Sequence, residues 1–232
     1  MKTLIAIPCT EHVSRDFFQS ALNLRVPGET HWATFSSSLV YESRSNLAHV
    51  AMEGGYDRVL WLDSDISFDE DLAERLAADM DQGLDYVCAL VFTRRGLAKP
   101  AIYSDLGYFK HESGKTASYA KTFLDYPRDS LFRVEASGMA ACMMSVDVIR
   151  RVAEAYDYLG VFSPLPGNFG EDLSFCMRLK ELGIEMYCDS RIKCGHEGYY
   201  TVNEEVFDAQ VAAGMFDEDM PKIGRASCRE RV

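Results

Sequence analysis

Three short, wholly apolar runs constrain this chain most: Leu4-Ile-Ala-Ile7, Val59-Leu-Trp-Leu62 and Val87-Cys-Ala-Leu-Val91. Each has strand length and none alternates with polar residues, so each must be covered on both faces. The segments between them carry apolar residues at helical spacing instead. Ser14 is placed to cap a helix bearing Phe17, Phe18, Ala21 and Leu22, with Pro27-Gly28 as its stop. Glu42 to Glu53 repeats the pattern with Leu47, Val50 and Ala51 and ends at Gly54-Gly55, and Asp69 to Asp81 makes a third helix. Pro8 is expected to end the first strand, with further strands at His31–Phe35, Arg58–Leu62 and Leu84–Phe92. Strands alternating with helices predict an α/β fold, with a mostly parallel central sheet flanked by helices.

The second half breaks this rhythm. Tyr103 to Arg133 is rich in Tyr, Ser, Gly, Lys and Asp without sustained apolar periodicity, and reads as an inserted loop or hairpin region. Met139 to Val146 is again apolar, followed by a helix from Ser145 or Asp147 to about Leu159. Val161 to Gly170 is a Pro/Gly loop. Glu171 to Leu182 is a helix with Leu173, Cys176, Leu179 and Leu182 inward, ended by Gly183, and Ile184 to Cys188 is a last strand.

The 232 residues allow one domain, and 47% hydrophobic content supplies a real core, which excludes disorder as the main state. A net charge of -12 argues against broad binding to nucleic acid or anionic lipid. No apolar run approaches the roughly 20 residues of a membrane span, and the opening MKTLIAIP is too short for a signal peptide. A soluble, cytoplasmic protein is expected. Lys222 to Val232 changes abruptly from acidic to basic and resembles the translation of a short-read sequencing adapter, the mark of an assembled environmental or phage sequence. Residues 1–221 are therefore taken as the domain and 222–232 as a non-native tail. Without the tail, 20 Lys+Arg stand against 35 Asp+Glu, a net -15. The remaining cysteines form no C-x-x-C pair and mostly sit in apolar runs, as reduced core thiols do. A zinc site at Cys188, Cys194 and His196 would lack a fourth ligand.

Three clusters carry chemistry. Asp63-Ser64-Asp65 follows an apolar strand, and ligands of open α/β sheets bind outside the carboxyl ends of strands. Two carboxylates there can converge on one hard divalent cation, or form a solvated turn beside the next helix. Glu171-Asp172 opens a helix after a flexible loop; such acids can accept a proton from an attacking hydroxyl, or simply complement the helix dipole. Gly195-His196-Glu197-Gly198 offers a third metal ligand in His196, or a surface histidine.

Together these motifs resemble the glycosyltransferases of the GT-A fold, a Rossmann-like fold, and especially the family 2-like enzymes that use nucleoside-diphosphate sugars. The resemblance covers residues 1 to about 205, with its elements in order: Ile7-Pro8-Cys9-Thr10, Ser43-Arg44-Ser45-Asn46, Leu62-Asp63-Ser64-Asp65, Thr93-Arg94-Arg95, Gly138-Met139, then Glu171-Asp172 with Arg178-Leu179 and Gly183, and Gly195-His196. It implies that Pro8, Thr10 and Glu11 line a base and ribose pocket and that Arg44 approaches the nucleotide or diphosphate. It implies that Asp63 contacts ribose or metal-bound water, that Asp65 ligates Mn2+ or Mg2+, and that His196 completes the metal site. Asp172, or second Glu171, is implied as the general base of an inverting reaction. Gly138, Met139 and Ala140 would lie near donor sugar and acceptor, and Ser163 to Phe169 would form a lid. The donor would be a UDP- or GDP-sugar and the acceptor a glycan, a small molecule, a protein or a modified DNA base. The absence of Q-x-x-R-W and of membrane spans implies a non-processive enzyme.

Two other readings compete. A haloacid-dehalogenase-type phosphatase also uses D-x-D, with its first Asp as nucleophile, but normally nearer the N-terminus. A degenerate, non-catalytic sugar-nucleotide-binding module would retain the pocket without turnover.

Overall fold

The computed structural model describes residues 1–94, 96–111, 114–156, 160–167, 169–198 and 201–216. The predicted domain boundary at Pro221 and the tail 222–232 lie outside these residues. In chain order the elements are β1 (Lys2–Cys9), α1 (Arg15–Asn23), β2 (Glu29–Ser36), α2 (Val40–Glu53), β3 (Arg58–Leu62), β4 (Ile66–Ser67), α3 (Leu72–Met80) and β5 (Tyr86–Leu90). Then come β6 (Ile102–Lys110), β7 (Thr116–Thr122), β8 (Leu131–Val134), β9 (Ala136–Ser137), β10 (Ala141–Ser145), α4 (Val146–Ala155), α5 (Glu171–Glu181), β11 (Met186–Lys193), β12 (Gly195–His196) and α6 (Glu204–Ala212).

Seven strands form the central sheet in the order β2-β1-β3-β10-β5-β11-β8. β1 is parallel to β2 and β3, and β5 is parallel to β11, whereas β10 and the edge strand β8 run antiparallel to their neighbours. The continuous apolar runs are explained by cover on both faces. Leu4 and Ala6 of β1 and Val59 and Trp61 of β3 point to one core with α2, α4 and α5. Ile5, Ile7, Leu60 and Leu62 point to the other with α1 and α3.

Several boundaries differ from expectation. Pro8 does not end β1, which continues to Cys9. Pairing with β3 stops at Ala6, so over its last residues β1 is bonded on one side only and the missing proline N–H costs no ladder bond to β3. α3 begins at Leu72, not Asp69, with Leu72 N–H bonded to the Asp69 carbonyl in a preceding turn. β11 runs past Cys188 to Lys193 through an irregularity after Asp189. The insertion contains a real hairpin, β6–β7, extended by β9 into a second, three-stranded sheet. Residues 157–159, where the fourth predicted helix was to end, lie outside the described set. No helix among the described residues is long and apolar enough to cross a membrane.

Candidate functional site

The parallel strands β1, β3 and β5 deliver Thr10, Asp63 and Arg94 to one edge of the sheet, because all three end there. β10 runs the other way, so its beginning meets the same edge, and Asp63 N–H donates to the Ala140 carbonyl at 2.8 Å. A cavity of about 250 Å³ opens between them, lined by Pro8, Cys9, Thr10, Ser37, Ser38, Val40, Ser43, Asp63, Ser64, Asp65 and Arg94. Pro8, Thr10, Asp63 and Asp65 therefore stand together as the sequence implied. Glu11 is exposed and does not line the cavity.

Arg44 is placed differently from expectation. It is 2% exposed and lies beneath the cavity rather than facing it. Its guanidinium sits 5.7 Å from the Trp61 ring and spends its donors on three acceptors: Asp63 Oδ1 at 2.8 Å, Glu171 Oε1 at 3.3 Å and the Met139 carbonyl at 3.4 Å. Its donors are directed at protein acceptors and it does not line the cavity. It ties the D-x-D turn to the start of α5. Met139 likewise contributes its carbonyl, with its side chain buried in the core.

Asp65 and His196 form the second half of the site. The short ladder of β4 and β12 pairs His196 with Ile66, directly after the D-x-D turn. His196 Nδ1 is 2.8 Å from the Phe92 carbonyl, which can only accept, so Nδ1 carries the proton and Nε2 faces Asp65 Oδ1 at 3.4 Å. Burial works against a charged His196, but Asp65 and the Phe92 carbonyl outweigh it and raise its pKa. Burial likewise opposes ionisation of Asp65, yet His196 and Arg94 hold it below the usual carboxylate range. Asp63 is pushed up by burial and by Asp65, against the pull of Arg44. Ser14 binds this corner together: its hydroxyl accepts from Phe17 N–H at the start of α1 and donates to Glu197 at 2.6 Å.

Among the described residues no group of three or more His, Cys, Asp or Glu side chains is disposed to hold a metal ion. The two groups here that could serve a cation are Asp65 and His196, 3.4 Å apart. Asp63 is engaged by Arg44, and magnesium-type sites commonly take one or two carboxylates with phosphates and water as the rest.

Asp172 opens α5 beside Glu171 and lies close to Gly138. A Cβ on Gly138 would lie 3.8 Å from its Oδ2 and 3.3 Å from Ala101, so glycine leaves a narrow approach to the carboxylate. Its Oδ1 accepts from Leu173 N–H at 2.7 Å. Burial, then the adjacent Glu171 charge, push Asp172 up to about 6. Burial and the Asp172 charge also raise Tyr103 to about 12. Glu171, by contrast, is bonded to Arg44. The 161–167 loop leads into this region and is tied at its base by Arg178, which is fully buried and donates to the Val161 and Ser163 carbonyls at 3.2 and 2.7 Å. Of the predicted lid, Asn168 lies outside the described residues. Arg178→Met should lower stability by about 3 kcal/mol, as loss of bonds to a charged donor does. Limited proteolysis should then cut near residue 165; an uncut variant of unchanged stability would remove this anchoring role.

Arg94, Glu197 and the serines at 37, 38 and 43 were not singled out for roles by the sequence. Arg94 follows β5 as Asp63 follows β3, and that strand-end position is the signal that could have found it.

No family model matches the sequence and no curated protein matches it. Solved structures do. The crystal structure of A197 from STIV is 18% identical with a TM-score of 0.52, over 85% of this chain and 86% of that one. TarS 1-349 of S. aureus is 13% identical with a TM-score of 0.47, over 82% of this chain and 58% of that one. At such identities likeness speaks for architecture alone, and the chain has a GT-A-like, Rossmann-like fold.

Proposed function

We propose that this chain is a non-processive glycosyltransferase that moves a sugar from a nucleoside diphosphate to an acceptor hydroxyl with inversion. The observation that carries the reading is the Arg44 bridge. One buried guanidinium holds Asp63, in the cavity, and Glu171, beside the base candidate, in fixed relation. The cavity is thereby linked to the start of the helix that carries the proton acceptor. Pro8, Thr10 and the serines of the cavity bind the nucleoside. Asp65 and His196 would hold Mn2+ or Mg2+, which would supply positive charge to the departing diphosphate. Asp172 takes the proton of the acceptor hydroxyl as its oxygen bonds to the anomeric carbon. The bond from that carbon to the diphosphate oxygen breaks, and the electron pair departs with the nucleoside diphosphate. Gly138 leaves the space in which the two substrates meet. A phosphatase reading would need Asp63 as a free nucleophile, and Arg44 already engages one of its oxygens at 2.8 Å.

The test is thermal unfolding against a panel of UDP- and GDP-sugars with manganese. A true donor at 100 times its dissociation constant should stabilise by about 2.7 kcal/mol and be slowly hydrolysed. If no nucleotide sugar shifts the transition, with or without metal, the reading fails.

A further inference from the structure

One charged side chain in the crevice is not used by this scheme. Arg94 is ion-paired with Asp65 Oδ2 and donates to the Glu197 carbonyl at 3.3 Å, while Asp65 Oδ1 faces His196. Both oxygens of the metal-seat carboxylate therefore already have partners. Arg94 also borders two spaces at once: the nucleotide cavity, and an open hollow of about 640 Å³ shared with Thr93, Leu97, Lys99 and His196. Its neighbour Thr93 is anchored to the far side of the turn. Thr93 N–H bonds the Lys99 carbonyl at 2.8 Å, and the Thr93 hydroxyl donates to the Leu97 carbonyl at 3.0 Å and accepts from Lys99 N–H at 3.2 Å. The turn needs Gly96, at φ +71°, to close. The Arg94 side chain is 38% exposed.

An ion pair whose partners are 38% and 26% exposed is screened by solvent and more easily exchanged than a buried one. A guanidinium matches a diphosphate better than it matches a lone carboxylate already facing an imidazole, because its fork binds phosphate oxygens in pairs. We propose that Arg94 is a displaceable cation: it occupies Asp65 in the empty site, and turns to the diphosphate when donor and metal enter. The inference rests on the nucleotide-sugar reading and adds to it an order of loading, in which metal alone meets a competitor and metal with nucleotide does not.

Two dissociation constants test this, measured by calorimetry on the full chain: manganese alone, and UDP and GDP in excess manganese. Arg94→Gln should tighten manganese alone about tenfold and weaken the nucleoside diphosphate about tenfold or more, the scale of one charge-assisted bond. Arg94→Lys should keep manganese binding near that of the unaltered protein yet still bind nucleotide more weakly, because an ammonium lacks the fork. If the unaltered protein binds nucleotide but either constant of Arg94→Gln stays within twofold, the proposal is overturned and the transferase reading stands. If the unaltered protein binds neither UDP nor GDP with manganese, both fall.

Discussion

Asp172→Asn is expected to lower sugar transfer by about 10²- to 10⁴-fold, the usual contribution of a positioned general base. The same variant should be at least as stable as the unaltered protein above neutral pH. The second expectation follows from linkage. Burial and the neighbouring Glu171 raise the Asp172 pKa to about 6, from an ordinary 3.8. In the window between those values the folded state binds more protons at this site than the unfolded state does. Stability attributable to Asp172 is therefore lost as pH rises from about 4 to about 6, and the loss persists at higher pH. Roughly two units at 1.36 kcal/mol each set an upper limit of about 3 kcal/mol, reduced by partial solvent access. Asparagine cannot ionise, so it escapes this cost while losing the proton acceptor. Activity should fall with pH in the opposite sense, with kcat/KM declining below about pH 6 as the base becomes protonated. An Asn variant that transfers normally, or whose melting temperature drops steeply at pH 8, would contradict the assignment.

Arg44→Met is expected to be the most destabilising single change, by about 3–5 kcal/mol, the cost of leaving buried charges without their partner. Against a typical total of about 5–15 kcal/mol this can unfold the chain at moderate temperature. Arg44→Lys should also lose stability, because one ammonium cannot serve Asp63, Glu171 and the Met139 carbonyl in the directions a guanidinium reaches. A partial rescue distinguishes charge from packing. Adding Asp63→Asn and Glu171→Gln to Arg44→Met should recover stability, because the orphaned charges are gone, while transfer stays lost. Urea unfolding measures both. If the triple variant is as unstable as Arg44→Met alone, packing against Trp61 rather than charge pairing explains the arginine.

The sheet was legible because its strands are apolar on both faces. Arg58–Leu62 was predicted to the residue, and Asp63-Ser64-Asp65 fell at its end as expected. α6 was missed because only Phe207 of its nine residues is buried, so it carries no stripe of apolar positions to read. The antiparallel course of β10 was equally invisible: a fully buried strand has the same composition in either direction. The burial of Arg44 was hidden for a related reason. An arginine near a nucleotide site reads as a phosphate ligand, and nothing local to residues 43–46 announces that Asp63 and Glu171, distant in sequence, will surround it. Asp65 and His196 were legible as types, but Arg94 lying on Asp65 depends on how a turn closes, which only three dimensions reveal.

The Ser14 hydroxyl, linking the first helix to Glu197, has a consequence for the order in which the molecule is assembled. As the chain leaves the ribosome, β1, β3, β5 and β10 emerge well before residue 190 and can build most of the sheet and the nucleoside cavity. The corner that holds Asp65 in register waits for β12, because His196 and Glu197 arrive more than 130 residues after the turn they complete. Contacts of such long separation form late. A nascent chain therefore has the cleft beside Asp63 before it has the closed corner of Asp65 and His196. The last corner to close during synthesis is the one that sets Asp65 against His196.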